Sequence, residues 1–178
     1  AAQYGGLGSG VCGGRGNGSS YGSAILSGGA GDDTINVSAG FHLVSGGAGA
    51  DKFVLALNAR ATITDFTGGA GGDTIDLSGL TTGGATAATT TLGAAVTPAS
   101  TATFGDFLNA AAAGHAAAAT NAVTSWFQYA GNTYIVVDNN ASDAFVGGPY
   151  SGDQVVTLTG LIDLSHATLT SADLLTLA

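Results

Sequence analysis

Asp33 and Asp51 are the residues around which chemistry could be built. Each closes a copy of the same turn, Gly-Gly-x-Gly-x-Asp followed by x-apolar-x: Gly28-Gly29-Ala30-Gly31-Asp32-Asp33-Thr34-Ile35-Asn36 and Gly46-Gly47-Ala48-Gly49-Ala50-Asp51-Lys52-Phe53-Val54. A carboxylate held by a glycine turn offers hard oxygen donors, and the carbonyls of the turn offer more. Oxygen ligands with no accompanying His or Cys cluster suit Ca²⁺ better than zinc or copper. The two aspartates are 18 residues apart, which is two nonapeptides. In a roll whose circuit takes two nonapeptides, loops fall alternately on two sides, and loops 18 apart are stacked neighbours. Asp33 and Asp51 would then hold one Ca²⁺ between them, with carbonyls of Gly28, Ala30, Gly46, Ala48 and Gly49 completing the shell.

The elements that must position these carboxylates follow from the same nine positions. Glycines at the first, second and fourth places tolerate positive φ and close backbone approach, so the chain turns sharply there. The apolar eighth residue (Ile35, Val44, Phe53) is expected on a short strand, pointing into the roll and stacked one strand spacing from its neighbours. The middle copy, residues 37–45, is degenerate: Gly40 and Val44 are kept, but His42 replaces Asp. His42 reads as an exposed turn residue and a poor ligand for a hard cation, so that side of the roll is expected to be metal-free or weakly bound. A third copy, Gly68-Gly69-Ala70-Gly71-Gly72-Asp73, follows Ile63-Thr64-Asp65-Phe66-Thr67. Asp73 lies 22 residues after Asp51, four out of phase, and is expected to leave the ladder. It would close the roll with a site of its own, drawing on Gly68, Ala70 and Asp65, Asp73 or Asp76. Asp65 and Asp76 read equally well as turn and strand-end residues.

Composition narrows the setting. All twelve acids are Asp, opposed only by Arg15, Lys52 and Arg60, and six of them fall between Asp32 and Asp76. Without a basic patch the chain is no nucleic-acid binder. The local negative density calls for cations. Cys12 is the only cysteine, so no internal disulfide forms, and metal could fill that stapling role. No apolar run is long enough to span a membrane, and Ala1-Ala2-Gln3-Tyr4 lacks the regions of a cleaved secretory signal. A zinc-protease motif needs Glu, which is absent, and no Gly-x-Ser-x-Gly elbow is present, so no enzyme activity is expected of this chain.

Three segments follow from the pattern: a Gly/Ser-rich irregular lead-in over 1–27, the roll over 28–78 and a cap over 79–178. In the cap, a helix is expected to begin near Thr101 to Thr103 and run into the alanines 110–119. Beyond it, Trp126 to Tyr129 and Tyr134 to Asp138 read as a hairpin across a Gly131-Asn132 turn, and Val155 to Thr159 as a further strand. Residues 160–165 echo Thr74-Ile75-Asp76-Leu77-Ser78, and Thr170-Ser171-Ala172-Asp173 reads as the cap of a last turn. The fold class is mainly β: a short calcium-binding parallel β-roll, then a mixed β/α carboxy-terminal cap with one Ala-rich helix. The cap is expected to cover the open edge of the roll.

The nonapeptides and the Ile-Thr-Asp-Phe…Asp-Thr-Ile-Asp-Leu-Ser passage resemble bacterial RTX proteins exported by type I secretion. The order of Ala-rich helix, Ser125-Trp126-Phe127-Gln128-Tyr129, Thr133 to Asn139 and Leu158 to Leu164 looks like the carboxy-terminal region of the surface-layer proteins of Caulobacter-like bacteria. That resemblance implies an uncleaved export signal in the last residues and folding outside the cell when Ca²⁺ binds. The chain would be secreted to the bacterial cell surface, with further copies in a surface lattice, the type I secretion machinery and a cell-surface polysaccharide as candidate partners. The rival expectation is a carboxy-terminal folding and secretion module of a secreted metalloprotease, lipase or adhesin.

Overall fold

The computed structural model describes residues 6–7, 11–13, 22–81, 90–92, 94–113, 122–140, 142, 144–147 and 152–177. In chain order the strands are β1 (Gly6–Leu7), β2 (Val11–Gly13), β3 (Gly22–Ala30), β4 (Thr34–Val37), β5 (Gly40–Ala48), β6 (Lys52–Leu55), β7 (Ala59–Ile63), β8 (Thr74–Asp76) and β9 (Thr90–Thr91). The helix α1 (Phe104–Ala112) follows, then β10 (Val123–Tyr129), β11 (Asn132–Asp138), β12 (Gln154–Thr159), β13 (Ala167–Leu169) and β14 (Leu174–Leu177).

Strands alternate between two sheets, as a roll with a two-nonapeptide circuit requires. Odd roll strands build one sheet, ordered β1-β3-β5-β7-β12-β11-β10, and even ones the other, ordered β2-β4-β6-β8-β14-β13-β9. β3 lies parallel to β5 with Leu26 beside Val44, and β4 lies parallel to β6 with Ile35 beside Phe53, each pair 18 residues apart. The glycine-rich lead-in contributes β1 and β2, which extend both sheets by one parallel layer.

Alternation along each strand sends one set of side chains inward. In the first sheet Leu26, Val44, Ile63 and Leu158 form a ladder in register. Facing it in the second are Ile35, Phe53, Ile75 and Leu175. All eight belong to one buried core. Each such side chain contributes about 1.5–3 kcal/mol by leaving water. Because the ladders run from repeats into cap strands, roll and cap share that core, and β12, seated parallel on β7, covers the open edge of the roll.

His42 is not the exposed turn residue expected. The turn on its side is only Ser38-Ala39, so β5 has already begun at Gly40 and period 2 directs His42 inward. It is buried, in register between Ala24 and Ala61, whose small side chains leave it room, and its Nε2 lies 3.4 Å from the Ala39 carbonyl.

In the cap, Thr103 caps α1 as its position suggested. Its Oγ1 accepts from the Asp106 N–H, and its own N–H donates back to Asp106 Oδ2 at 2.8 Å. The later alanines and His115 fall outside the described residues, as does 82–89. α1 covers the outer face of the first sheet at its cap end, with Phe104 4.9 Å from Tyr134 and Phe107 5.2 Å from Phe127 between ring centroids. The hairpin turn sits one residue earlier than expected. Ala130 and Gly131 take positive φ, 47° and 84°, while Asn132 pairs with Tyr129. A two-residue loop of that hand matches the twist of its strands. Thr170 caps no helix; its Oγ1 accepts from Ala172 and Leu174 N–H in the tight turn between β13 and β14. The echo of 74–78 in 160–165 is physical: Ser78 and Ser165 N–H each donate to the aspartate two residues before, Asp76 and Asp163. Among the described residues no helix is long and apolar enough to cross a membrane.

Candidate metal centre

Three glycine turns lie on the same side of the roll. In each copy the second and fourth positions take positive φ: Gly29 and Gly31, Gly47 and Gly49, Gly69 and Gly71. The need for glycine is sharpest at Gly47, where a Cβ would run into the Gly29 carbonyl of the turn above. The first glycine has a different reason. At Gly46 the space a Cβ would take is filled by the carboxylate of Asp51, and at Gly28 by the Gly46 carbonyl together with the carboxylate of Asp33; each carboxylate folds back over its own turn. The opposite side has shorter turns, 38–39 and 56–58, with no carboxylate.

Stacking of these turns makes an aspartate ladder. The Asp33 N–H donates to Asp51 Oδ1 at 2.9 Å, and the Asp51 N–H donates to Asp73 Oδ1 at 2.9 Å. Lys52 N–H to the Asp33 carbonyl and Thr74 N–H to the Asp51 carbonyl, each 2.8 Å, lock the same steps through the backbone. Asp73 therefore does not leave the ladder, contrary to the phase argument. The four extra residues are taken up in the loop before it, where Gly72 N–H closes on Gly69 and Asp73 N–H on Thr67. β8 then pairs with β6 with Ile75 beside Phe53.

The remaining candidates separate by their partners. Asp65 accepts from Ser45 Oγ at 2.6 Å, Gly46 N–H at 2.9 Å and Gly47 N–H at 3.0 Å, so it holds the second turn in shape. Asp76 meets Lys52 Nζ at 2.9 Å and accepts from Ser78 Oγ at 2.6 Å, as a strand-end residue does. Asp73 Oδ2 accepts from the Thr67 N–H and hydroxyl. Ala30, Ala48 and Gly49 lie exposed on the rim of the turns, and the Ala48 carbonyl accepts from Gly31 N–H at 2.7 Å. Gly68 packs against Leu177 of β14, and Ala70 is exposed beside it, so this copy faces the last strand and no further turn. Asp32 was not among the expected residues. Its Oδ1 accepts from Ala50 N–H at 2.8 Å, and the same 18-residue step could have found it.

Asp51 is the middle member of the stack. Only 1% of it is exposed, and its Oδ2 is buried with no hydrogen-bond partner. A neutral interior penalises such an oxygen unless a proton or a cation meets it. Burial raises the Asp51 carboxyl above its ordinary 3.8; the Asp33 N–H opposes this, and the charges of Asp73, Asp33 and Asp65 add to it. Asp76 goes the other way, since bonds from Ser78 and Lys52 outweigh its burial. Among the described residues no three His, Cys, Asp or Glu side chains converge as a metal group, so a cation here would be held by few carboxylates and completed by turn carbonyls. The donors are all hard oxygens, which fits Ca²⁺.

Linkage fixes the sign of the pH effect. A carboxyl raised on folding binds its proton more tightly in the folded chain, so Asp51 costs the metal-free protein stability as pH rises above 3.8. In chelator, Asp51→Asn is therefore expected to recover strand signal in circular dichroism relative to the wild type, and to recover more at about pH 7 than at about pH 4.5. Equal recovery at both would show that Asp51 carries no such penalty.

Set against known proteins, the chain matches no protein-family model and no curated protein.

Proposed function

We propose that this chain is a calcium-dependent extracellular structural protein, exported by a type I system and assembling into a bacterial surface layer. The observation that carries the reading is the buried Asp51 Oδ2, without a hydrogen-bond partner, inside a stack of three aspartate turns. Without a cation, mutual repulsion and desolvation of these carboxylates keep the roll loose. With Ca²⁺ at the extracellular range of about 10⁻⁴ to 10⁻³ M, binding free energy becomes folding free energy. Asp51 and Asp33 would supply the carboxylates and the turns at Gly28 and Gly46 the carbonyls. Asp65 and Asp73 hold those turns in place through the bonds already described. The shared core supports the next step, because a roll that closes also presents β7 for β12 to join. Folding and assembly then wait until the chain is outside.

Electron microscopy of the calcium-treated protein tests the assembly. An ordered two-dimensional lattice that disperses in chelator is expected. Particles that stay single in calcium would contradict it and favour a folding and secretion module of a larger secreted protein.

A further inference from the structure

The outer face of the first sheet is covered at its cap end and bare at its roll end. α1 and its aromatic cluster bury the outward side chains of β10 and β11. Among the described residues nothing comparable lies over β3, β5 and β7. Ile25 is 64% exposed, Phe41 57% and Leu43 45%, which is half of the six large apolar side chains exposed among the described residues. They form one patch, because Ile25 and Leu43 are register partners and Phe41 is two residues before Leu43 on the same face. Scattered apolar residues need no explanation, but a contiguous apolar patch on a flat sheet marks an interaction surface.

Charge selects the occupant. The chain has a net charge of −9, yet the outward positions of β3, β5 and β7 hold no carboxylate and one cation, Arg60, whose guanidinium lies 5.1 Å from the Phe41 ring centre. Copies of so acidic a chain repel wherever their carboxylates meet, and these strand positions, whose bordering acids Asp65 and Asp153 are held in hydrogen bonds, are where they can approach. Beside the patch, a cleft of about 420 Å³ lies between β5, β7 and α1, lined by Phe41, Arg60, Phe104, Leu108, Tyr134 and the buried Asp153. It gives a neighbour's apolar side chain a socket.

We infer that the Ile25–Phe41–Leu43 face is the surface through which two copies of this chain meet, sheet face to sheet face, the patch of each against the cleft of the other. The pairing is isologous, the self-complementary arrangement of a two-fold dimer. It rests on the assembly reading and names the contact surface.

Sedimentation velocity of the chain in calcium, across a concentration series, tests it. The wild type is expected to self-associate below about 100 µM. Leu43→Asp, which puts a charge into the patch, is expected to be monomeric with an unchanged circular dichroism spectrum. The milder pair Ile25→Thr and Leu43→Thr, which keeps strand-forming side chains, should weaken association by about tenfold or more. Leu161→Asp, at an apolar residue 65% exposed elsewhere, should associate like the wild type. Association that survives both patch variants overturns this face while leaving the assembly reading intact. A wild type that stays monomeric throughout overturns both.

Discussion

Phe53→Ala is expected to cost about 3–5 kcal/mol, the range for emptying a fully buried aromatic position. Phe53 has no exposed surface and sits in register between Ile35 and Ile75, at the middle of the second sheet's inner ladder. The strands on either side are fixed at sheet spacing by their hydrogen bonds, so the layer cannot collapse into the void. A domain holds only about 5–15 kcal/mol in total, so this variant should stand near the edge of folding even in saturating calcium. Urea unfolding in calcium measures it. A loss under about 1 kcal/mol would mean that the two ladders do not pack across the roll. The same change should raise the calcium concentration needed for folding, because metal binding and core packing draw on one equilibrium.

Asp51→Asn is expected to act with opposite signs in the two metal states. In chelator the amide removes a buried charge that Asp73, Asp33 and Asp65 repel, while its oxygen can still accept the Asp33 N–H, so the metal-free chain gains stability. In calcium the site loses a carboxylate, and the calcium midpoint should rise by at least about tenfold. The strand signal left in chelator and the calcium midpoint of that signal read the two effects. A variant that needs more calcium but gains no strand signal in chelator would make Asp51 an ordinary hydrogen-bonding residue.

How much of this was legible before the fold was known depends on which interaction decides each element. The nine-residue period carried the roll: glycine positions set the turns, and the eighth residues Ile35, Val44 and Phe53 lie in the core as period 2 requires. Thr103 could be read because a helix cap is local chemistry. Asp73 could not, because counting residues treats a loop as rigid, whereas Thr67 and Gly69 fold the four extra residues away and restore the register. His42 was misplaced for a similar reason, since the repeat pattern does not reveal that the opposite turn is only two residues long. The part Asp65 plays is a long-range matter, a carboxylate reaching back to Ser45, Gly46 and Gly47 of the previous circuit. The apolar face of β3 and β5 has no local signature at all. It becomes visible only when Ile25 and Leu43 are brought side by side.

The central claim is that a cation completes the aspartate stack and thereby folds the roll. Far-ultraviolet circular dichroism of the chain titrated with Ca²⁺ and then with chelator tests it most directly. Strand signal that appears over about 10⁻⁴ to 10⁻³ M calcium, and disappears on chelation, is the expected result. A full strand spectrum in chelator, unchanged by calcium, would contradict it.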